Sequence, residues 1–359
     1  VAINCAAPGK LFGEFPTALM PQEILTSGPD KIRAVICFGG NLLMGLGDPD
    51  LAIPAFEDLD LLVVIDPRKN ATARYAHYVI ATSQPFERHD ISTPGDALYP
   101  QAFAQYAPPV IDKPAGVIHD WEFFWGVAAR MNLPLTLKYW NYGMDFEAIE
   151  DGLPLSIDTP PDPQTMIRFL CNNSRVPFDE LLANPSGVRP QLPEQRVLAT
   201  PAGHKGRLQL CPDDVVKELA LVLNEHNVNA GFAYQLTCRR ILEAMNSAYR
   251  DAPATRKRYP VNWAYMNPDD MVKEGIEEGD SIHIRSEAGH ITGVARADAR
   301  LRPRVISMTH LFGELVPSQK AEADGGSFTG RLTSLTDHLQ PINFMPRFSG
   351  VPVNVVLIK

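Results

Sequence analysis

The sequence predicts an α/β unit with a partial parallel sheet, followed by a β-barrel-like domain. Two observations carry that reading. Early in the chain, the near-continuous apolar runs IRAVICF and LDLLVVID close on Gly39-Gly40-Asn41 and on Asp66-Pro67. Apolar runs without alternation mark strands covered on both faces, as in a parallel sheet. Residues 231–313, by contrast, pack a buried strand, a short helix opened by Asn267-Pro268-Asp269-Asp270, a Gly-Asp turn and a β-hairpin close together. Short strands separated by turn signals at that density describe a barrel-like domain whose loops, rather than a catalytic dyad, face a ligand.

Each element follows from local pattern. A helix is predicted from Thr17 to Leu25, with prolines at its start, then a turn at Gly28-Pro29-Asp30 and the first apolar strand. Residues 51–58 form a short helix before the second strand, and YAHYVIA at 75–81 gives a third. Residues 82–115 are rich in proline and scattered charge, a long irregular excursion that implies a function or a packing partner. Asp120 is placed to cap a helix over 121–131, WEFFWGVAARM, whose aromatic face should bury. Another helix candidate lies within 160–184, after Pro161-Asp162-Pro163. Asn184-Pro185-Ser186-Gly187 and the prolines beyond it break the periodicity. Beyond that break come a short strand, RLQL, and a helix over 212–224 opened by Pro212-Asp213-Asp214. The expected domains are therefore 1–80, 81–195 and 196–359.

Bulk properties limit the function classes. A chain of 359 residues can bury more than one core, and 45% hydrophobic with 21% charged residues is the balance of a globular protein. A net charge of −9 argues against a nucleic-acid partner, while leaving room for a local basic pocket. Cys5, Cys37, Cys171, Cys211 and Cys238 stand far apart, so local spacing offers neither a zinc site nor an iron–sulfur cluster. No apolar run reaches the roughly 20 residues that cross a bilayer. The chain begins at Val1 without an initiator methionine or signal peptide, which is read as a processed or shortened piece of a longer protein.

Seven segments in order carry a family resemblance. They are IRAVICFGGN; LDLLVVIDPRKNATARYAHYVIA; PFERHD with PAGVIHDWEFFWGVAARMNLP; TPAGHKGRLQLCPDD; LTCRRILEAMNS with MNPDDMVKEGIEEGDSIHIRSEAG; VISMTHLFG; and the closing LTDHLQPINFMPRFSGVPVNVVLI. Together they resemble the C-terminal half of the molybdopterin oxidoreductases, the superfamily of dimethyl sulfoxide reductase, formate dehydrogenase and periplasmic nitrate reductase. The resemblance implies that the barrel is a molybdopterin-dinucleotide-binding domain. Two positions depart from the family pattern: Cys238 stands where many relatives carry Gly, and Thr333 where some carry Asn.

The resemblance implies a bis(molybdopterin guanine dinucleotide) with molybdenum or tungsten, and two-electron or oxygen-atom-transfer chemistry on a small substrate. A non-redox, hydratase-like member or a non-catalytic nucleotide-binding scaffold is the alternative. It also implies that the metal ligand and any [4Fe-4S] cysteines lie upstream, so this chain offers no metal ligand and no catalytic residue. The expected partners are the N-terminal half of the same polypeptide and an electron-transfer protein. Location is cytoplasmic or periplasmic, according to any upstream signal.

The cofactor candidates follow residue by residue. Asp66, with Arg68 beside it, is placed to meet guanine or ribose, or else caps an Asp-Pro turn. Gly39 and Gly40 would admit close backbone approach, and Asn41 an amide. Thr72 could donate to a phosphate or start a helix. Arg239 and Arg240 end an apolar strand, so they point to opposite faces; one would meet phosphate and the other solvent or an internal ion pair. Asn246 and Ser247 would touch the pterin or simply close a turn, and His310 would reach back to the cofactor or be a structural histidine. Glu87 and His89 are read as loop anchors and caps rather than as an acid/base pair.

Overall fold

A computed structural model describes residues 15–92, 101–138, 152–172, 174–191, 201–206, 209–224, 231–315 and 325–358. The chain forms two compact units. The first comprises residues 1–64, 69–78 and 209–359, and the second residues 65–68 and 79–208.

The first unit opens with the predicted helix split in two, a 3-10 turn at Thr17–Leu19 and then α1 (Met20–Leu25). Strand β1 (Ala34–Phe38) leads to α2 (Leu42–Leu46), α3 (Pro49–Glu57), β2 (Leu61–Ile65) and β3 (Tyr78–Ile80), in the sheet order β1-β2-β3. Asp48 caps α3, its carboxylate accepting from the Leu51 N–H, and Pro49 occupies the first helical position where a missing N–H costs nothing. The other Asp48 oxygen accepts from the Leu335 N–H at 2.9 Å and fixes this helix start to the C-terminal segment. Strand β2 is buried along Leu62–Ile65, as its apolar run predicts. Strand β1 differs, because only Cys37 is buried; it is the edge strand of three and its faces stay largely open.

In the second unit, β4 (Asp90–Ile91) pairs with β5 (Tyr106–Ala107). Then come α4 (Asp120–Met131), the hairpin of β6 (Leu135–Lys138) with β7 (Gly152–Leu155), α5 (Pro163–Leu170) and α6 (Phe178–Ala183). Its core gathers Tyr106, Ile167, Cys171, Phe178 and Leu181. Two expectations are corrected. The N-cap of α4 is His119, not Asp120, because the Glu122 carboxylate accepts from the His119 N–H and closes a capping box. The aromatic face of α4 is not buried; only Gly126 and Ala128 are. Glu87 likewise closes a capping box on Gln84, and His89 anchors its loop by a 2.6 Å bond to the buried Tyr106 hydroxyl.

The rest of the first unit begins at α7 (Asp213–Asn224), which starts where the Pro-Asp-Asp signal placed it. Of the expected strand RLQL, residues 207 and 208 lie outside the described residues, and Gln209 and Leu210 are not strand. Cys5 and much of the predicted break at 185–200 also lie outside them. The barrel then follows: β8 (Tyr234–Arg239), α8 (Pro253–Arg258), β9 (Trp263–Met266), α9 (Pro268–Glu274), β10 (Ser281–Arg285), β11 (His290–Ala297), β12 (Val305–Thr309) and β13 (Val351–Leu357). Its strands close in the order β10-β11-β9-β12-β8-β13, with β13 returning to β10. The pairs β9/β11 and β8/β12 are parallel and the others antiparallel.

Alternation dictates the barrel core. In SIHIR, Ile282 and Ile284 are fully buried while His283 and Arg285 face out, and each buried isoleucine contributes on the order of 2 kcal/mol. Asn267 caps α9 by accepting from the Asp269 N–H, as Asn-Pro-Asp-Asp predicts. The α/β part and the C-terminal segment share one apolar core, in which Leu43, Phe56 and Val64 join Leu311, Phe328 and Leu335.

Candidate functional site

Strand ends bring the site together. The loop after β1 and the turn after β8 line one cleft of about 550 Å³, closed on another side by Phe344 and Phe348. Gly39, Gly40, Asn41, Asn246 and Ser247 all line it. Gly39 adopts φ +59, a left-handed conformation that excludes most side chains, and a Cβ there would meet nothing within 4 Å. The loop is pinned from beneath: Asn70 Nδ2 donates to the Gly40 carbonyl at 3.0 Å and its Oδ1 accepts from the Ala73 N–H.

Thr72 is fully buried and does not reach the cleft itself. Its hydroxyl oxygen accepts from the Leu43 N–H at 3.1 Å and its O–H donates to Asn41 Oδ1 at 3.2 Å. Asn41, whose oxygen is so held, lines the cleft. Asn246 repeats the arrangement across the cleft. Arg240, which can only donate, donates to Asn246 Oδ1 at 2.5 Å and leaves the second –NH2 available. Asn246 and Ser247 are the central pair of a two-residue turn closed by Met245 and Ala248, with Asn246 at φ +54. Turn formation and cleft lining are therefore the same fact.

The adjacent arginines at the end of β8 part company. Arg239 Nη2 donates to Asp298 at 2.9 Å and Nε to Ser307 at 3.0 Å, with its guanidinium 3.8 Å from the Tyr265 ring centroid. Arg300 and Arg239 together hold the buried Asp298 carboxyl well below the usual carboxylate range. Arg240 instead turns to Asn246. His310 donates its backbone N–H to the Arg239 carbonyl and packs edge-on against Phe348, 5.4 Å between centroids. Burial, reinforced by Arg240, pushes its imidazole pKa down, so it is neutral near pH 7.

Asp66 and Arg68 belong to the second unit and are not among the residues lining this cleft. Asp66 accepts from the Arg68 N–H at 2.7 Å, the turn-capping arrangement. Cys238 is half-buried with its thiol pKa raised by burial, and Thr333 is buried with its hydroxyl donating to the Gly330 carbonyl.

Sequence reasoning missed the supports. Asn262, 1% exposed, donates to the carbonyls of Thr309, Phe312 and Ser327 and accepts from the Thr309 N–H. Buried Arg250 donates to the Gly313 carbonyl at 2.7 Å. Together they lock the loop after β12. Neither lies in a local pattern that marks it, because the carbonyls they hold are 47 to 65 residues away. Phe344 and Phe348 were legible only as part of the closing segment.

A closed barrel beside a glycine loop from an α/β sheet is an architecture consistent with nucleotide or cofactor binding. Among the described residues no group of three His, Cys, Asp or Glu could hold a metal ion, and no helix is long and apolar enough to cross a membrane. Residues 234–352 match the family described as the molydopterin dinucleotide binding domain, and the chain carries that domain in a form resembling the molybdopterin oxidoreductase superfamily. The chain is 23% identical over 288 residues to a trimethylamine-N-oxide reductase of Haemophilus influenzae, covering 73% of this chain and 34% of that protein. It is 22% identical over 318 residues to a dimethyl sulfoxide/trimethylamine N-oxide reductase of Rhodobacter capsulatus, covering 76% and 35%. A dopamine dehydroxylase of Eggerthella lenta is 32% identical over 102 residues, 28% of this chain and 10% of that protein. Acetylene hydratase from Pelobacter acetylenicus shares the fold, with TM-score 0.69 and 18% identity over 95% of this chain and 46% of that one. The chain thus spans about a third of the length of the two reductases it matches.

Proposed function

We propose that this chain is the cofactor-holding part of a molybdenum or tungsten enzyme that carries bis(molybdopterin guanine dinucleotide). The observation that supports it best is the pair of carboxamides, Asn41 and Asn246, whose oxygens are held by Thr72 and Arg240. Two preset –NH2 groups suit the acceptor-rich edges and phosphate oxygens of a pterin dinucleotide, and fixing them in advance lowers the ordering cost of binding. Arg240 adds a cation beside them, neutral His310 adds a polar edge, and Gly39 leaves room for close approach. Asp66 and Arg68, which lie in the second unit, are proposed for guanine or ribose contact on the family resemblance alone. When bound, the cofactor supplies the metal and dithiolene chemistry, while the protein places it and sets its surroundings. Any iron–sulfur cluster, the metal ligand, the N-terminal half of the polypeptide and an electron-transfer partner belong to the same proposal.

Two reaction classes are open to such a cradle. The sequence relatives are reductases of N- and S-oxides, which supports two-electron or oxygen-atom transfer on a small substrate. The fold match to a hydratase covers more of the chain, which supports a non-redox, hydratase-like reading. All the residues placed at the cleft are binding residues, so both readings use them alike.

The test takes the full-length protein from its native source. Metal analysis and acid release of nucleotide are expected to give molybdenum or tungsten together with guanosine monophosphate. A protein carrying neither overturns the proposal and leaves a scaffold. Reduction of N- or S-oxides driven by a reduced dye then separates redox chemistry from addition of water to an unsaturated substrate.

A further inference from the structure

Strained backbone gathers at the cleft lined by Asn41 and Asn246. Among the described residues, eight residues other than glycine have a positive φ, and three of them, Asn246, Leu311 and Phe344, line this one cleft. We propose that Gln340, which is not among the lining residues, is a positioning residue that holds Phe344 in place as a wall of the cofactor cleft. The proposal deepens the cradle reading above and rests on it.

A bulky L residue at φ +59, as Phe344 is, crowds its Cβ against the backbone and stays there only where its surroundings impose it. Strain of that kind collects at ligand clamps. For Asn246 the two-residue turn imposes it. For Leu311, at φ +52, Asn262 bonds the carbonyls on either side, those of Thr309 and Phe312. At Phe344 the constraint comes from Gln340. Its backbone N–H donates to the Met345 carbonyl at 2.9 Å, and its carbonyl accepts from the Phe344 N–H at 2.7 Å. Its side-chain oxygen, which has two lone pairs, accepts from the Ile342 N–H at 3.0 Å and from the Asn343 N–H at 2.7 Å. Asn343 Oδ1 accepts from the Met345 N–H at 2.9 Å. Every N–H from Ile342 to Met345 is therefore bonded inside the loop, and three of these four bonds end on Gln340.

Burial does not hold this loop, because Pro341, Ile342, Asn343 and Met345 are all exposed. Its own hydrogen bonds do, and Asn343, Phe344 and Met345 line the cleft as a result. Removing the Gln340 oxygen would release two N–H groups to water and let Phe344 leave its left-handed conformation. A wall that must then be ordered again on binding weakens the hold on a ligand, and a wall ordered beforehand does not.

The experiment follows acid-releasable guanosine monophosphate remaining on the full-length, cofactor-loaded protein during timed incubation below its melting temperature. Wild type is compared with Gln340→Met, which keeps the length but lacks the acceptor, and with Gln340→Glu, which keeps an acceptor oxygen. Gln340→Met is expected to lose nucleotide about tenfold faster, and Gln340→Glu to match wild type. In a Phe344→Ala background Gln340→Met should add little, because a residue that acts through Phe344 has nothing left to position. Amide hydrogen exchange at residues 342 and 343, read with and without nucleotide, should show protection lost in Gln340→Met and kept in Gln340→Glu. Equal retention by Gln340→Met, or an undiminished effect in the Phe344→Ala background, overturns the proposal. A wild type without nucleotide overturns the cradle reading and this proposal with it, an outcome told apart from the others by the missing guanosine monophosphate.

Discussion

The two walls of the amide cleft present the same group by different means. On the β1 side, Asn41 is oriented by Thr72, a neutral hydroxyl buried in an apolar core. On the β8 side, Asn246 is oriented by Arg240, whose neighbour Arg239 is fixed by an ion pair with Asp298 at the barrel rim. One wall depends on burial and the other on charge. Burial-held geometry should resist salt and acid, and charge-held geometry should not.

The largest effect tests a support common to the cleft. Gly313 sits at φ +87, and a Cβ there would lie 2.5 Å from the Ser327 backbone. Gly313→Ala is expected to cost about 2–4 kcal/mol in urea unfolding, through the loop that Arg250 and Asn262 lock. Next comes the charged wall. Asp298→Ala strands the Arg239 guanidinium and should cost about 2–3 kcal/mol. The sign with pH follows from the lowered folded pKa. The Asp298 contribution is complete above the unfolded value of about 3.9 and disappears as pH falls through the folded value. Wild type and variant should therefore converge in acid, and a constant gap down to the lowest pH would refute the ion-pair account.

On the buried wall, Thr72→Val keeps the shape but leaves the Leu43 N–H without a partner, at a cost of about 1–2 kcal/mol. Its penalty should be unchanged between low and high salt, whereas that of Asp298→Ala should shrink. The smallest effect belongs to His310. With its folded pKa lowered below about 6.5, the unfolded chain binds the extra proton, so stability declines as pH drops below that value. Replacing His310 with Gln should flatten that part of the stability–pH curve, read by thermal melts between about pH 5.5 and 7.5 (a window of about one unit either side of the free imidazole).

Much of this was legible in the sequence because the signals are local. The Gly-Gly-Asn strand end, the Asn-Pro-Asp-Asp cap and the alternation in SIHIR each depend on neighbours within a few residues, and each element stands where its pattern put it. Arg239 and Arg240 take different partners, yet both line one rim cleft, since the strand ends at Arg239 and alternation does not extend to Arg240. What period and turn chemistry could not reveal is the long-range support. Asn262 reads as one polar residue among apolar ones, and Asp298 reads as part of a solvated charge run in ARADAR. Their partners, Ser327 and Arg239, lie 65 and 59 residues away. The aromatic run of α4 misled for a related reason: composition asks for burial, but covering surface is a property of the fold, and only Gly126 and Ala128 receive it.

The most direct measurement is the nucleotide content of the full-length protein carrying Asn41→Ala and Asn246→Ala together, compared with wild type prepared in parallel. The account predicts that guanosine monophosphate released by acid falls sharply, well beyond the modest loss of thermal stability expected in the nucleotide-free state from removing the Thr72 and Arg240 partners and placing Ala at φ +54. Full nucleotide retention by the double variant would contradict the claim that this cleft holds the cofactor.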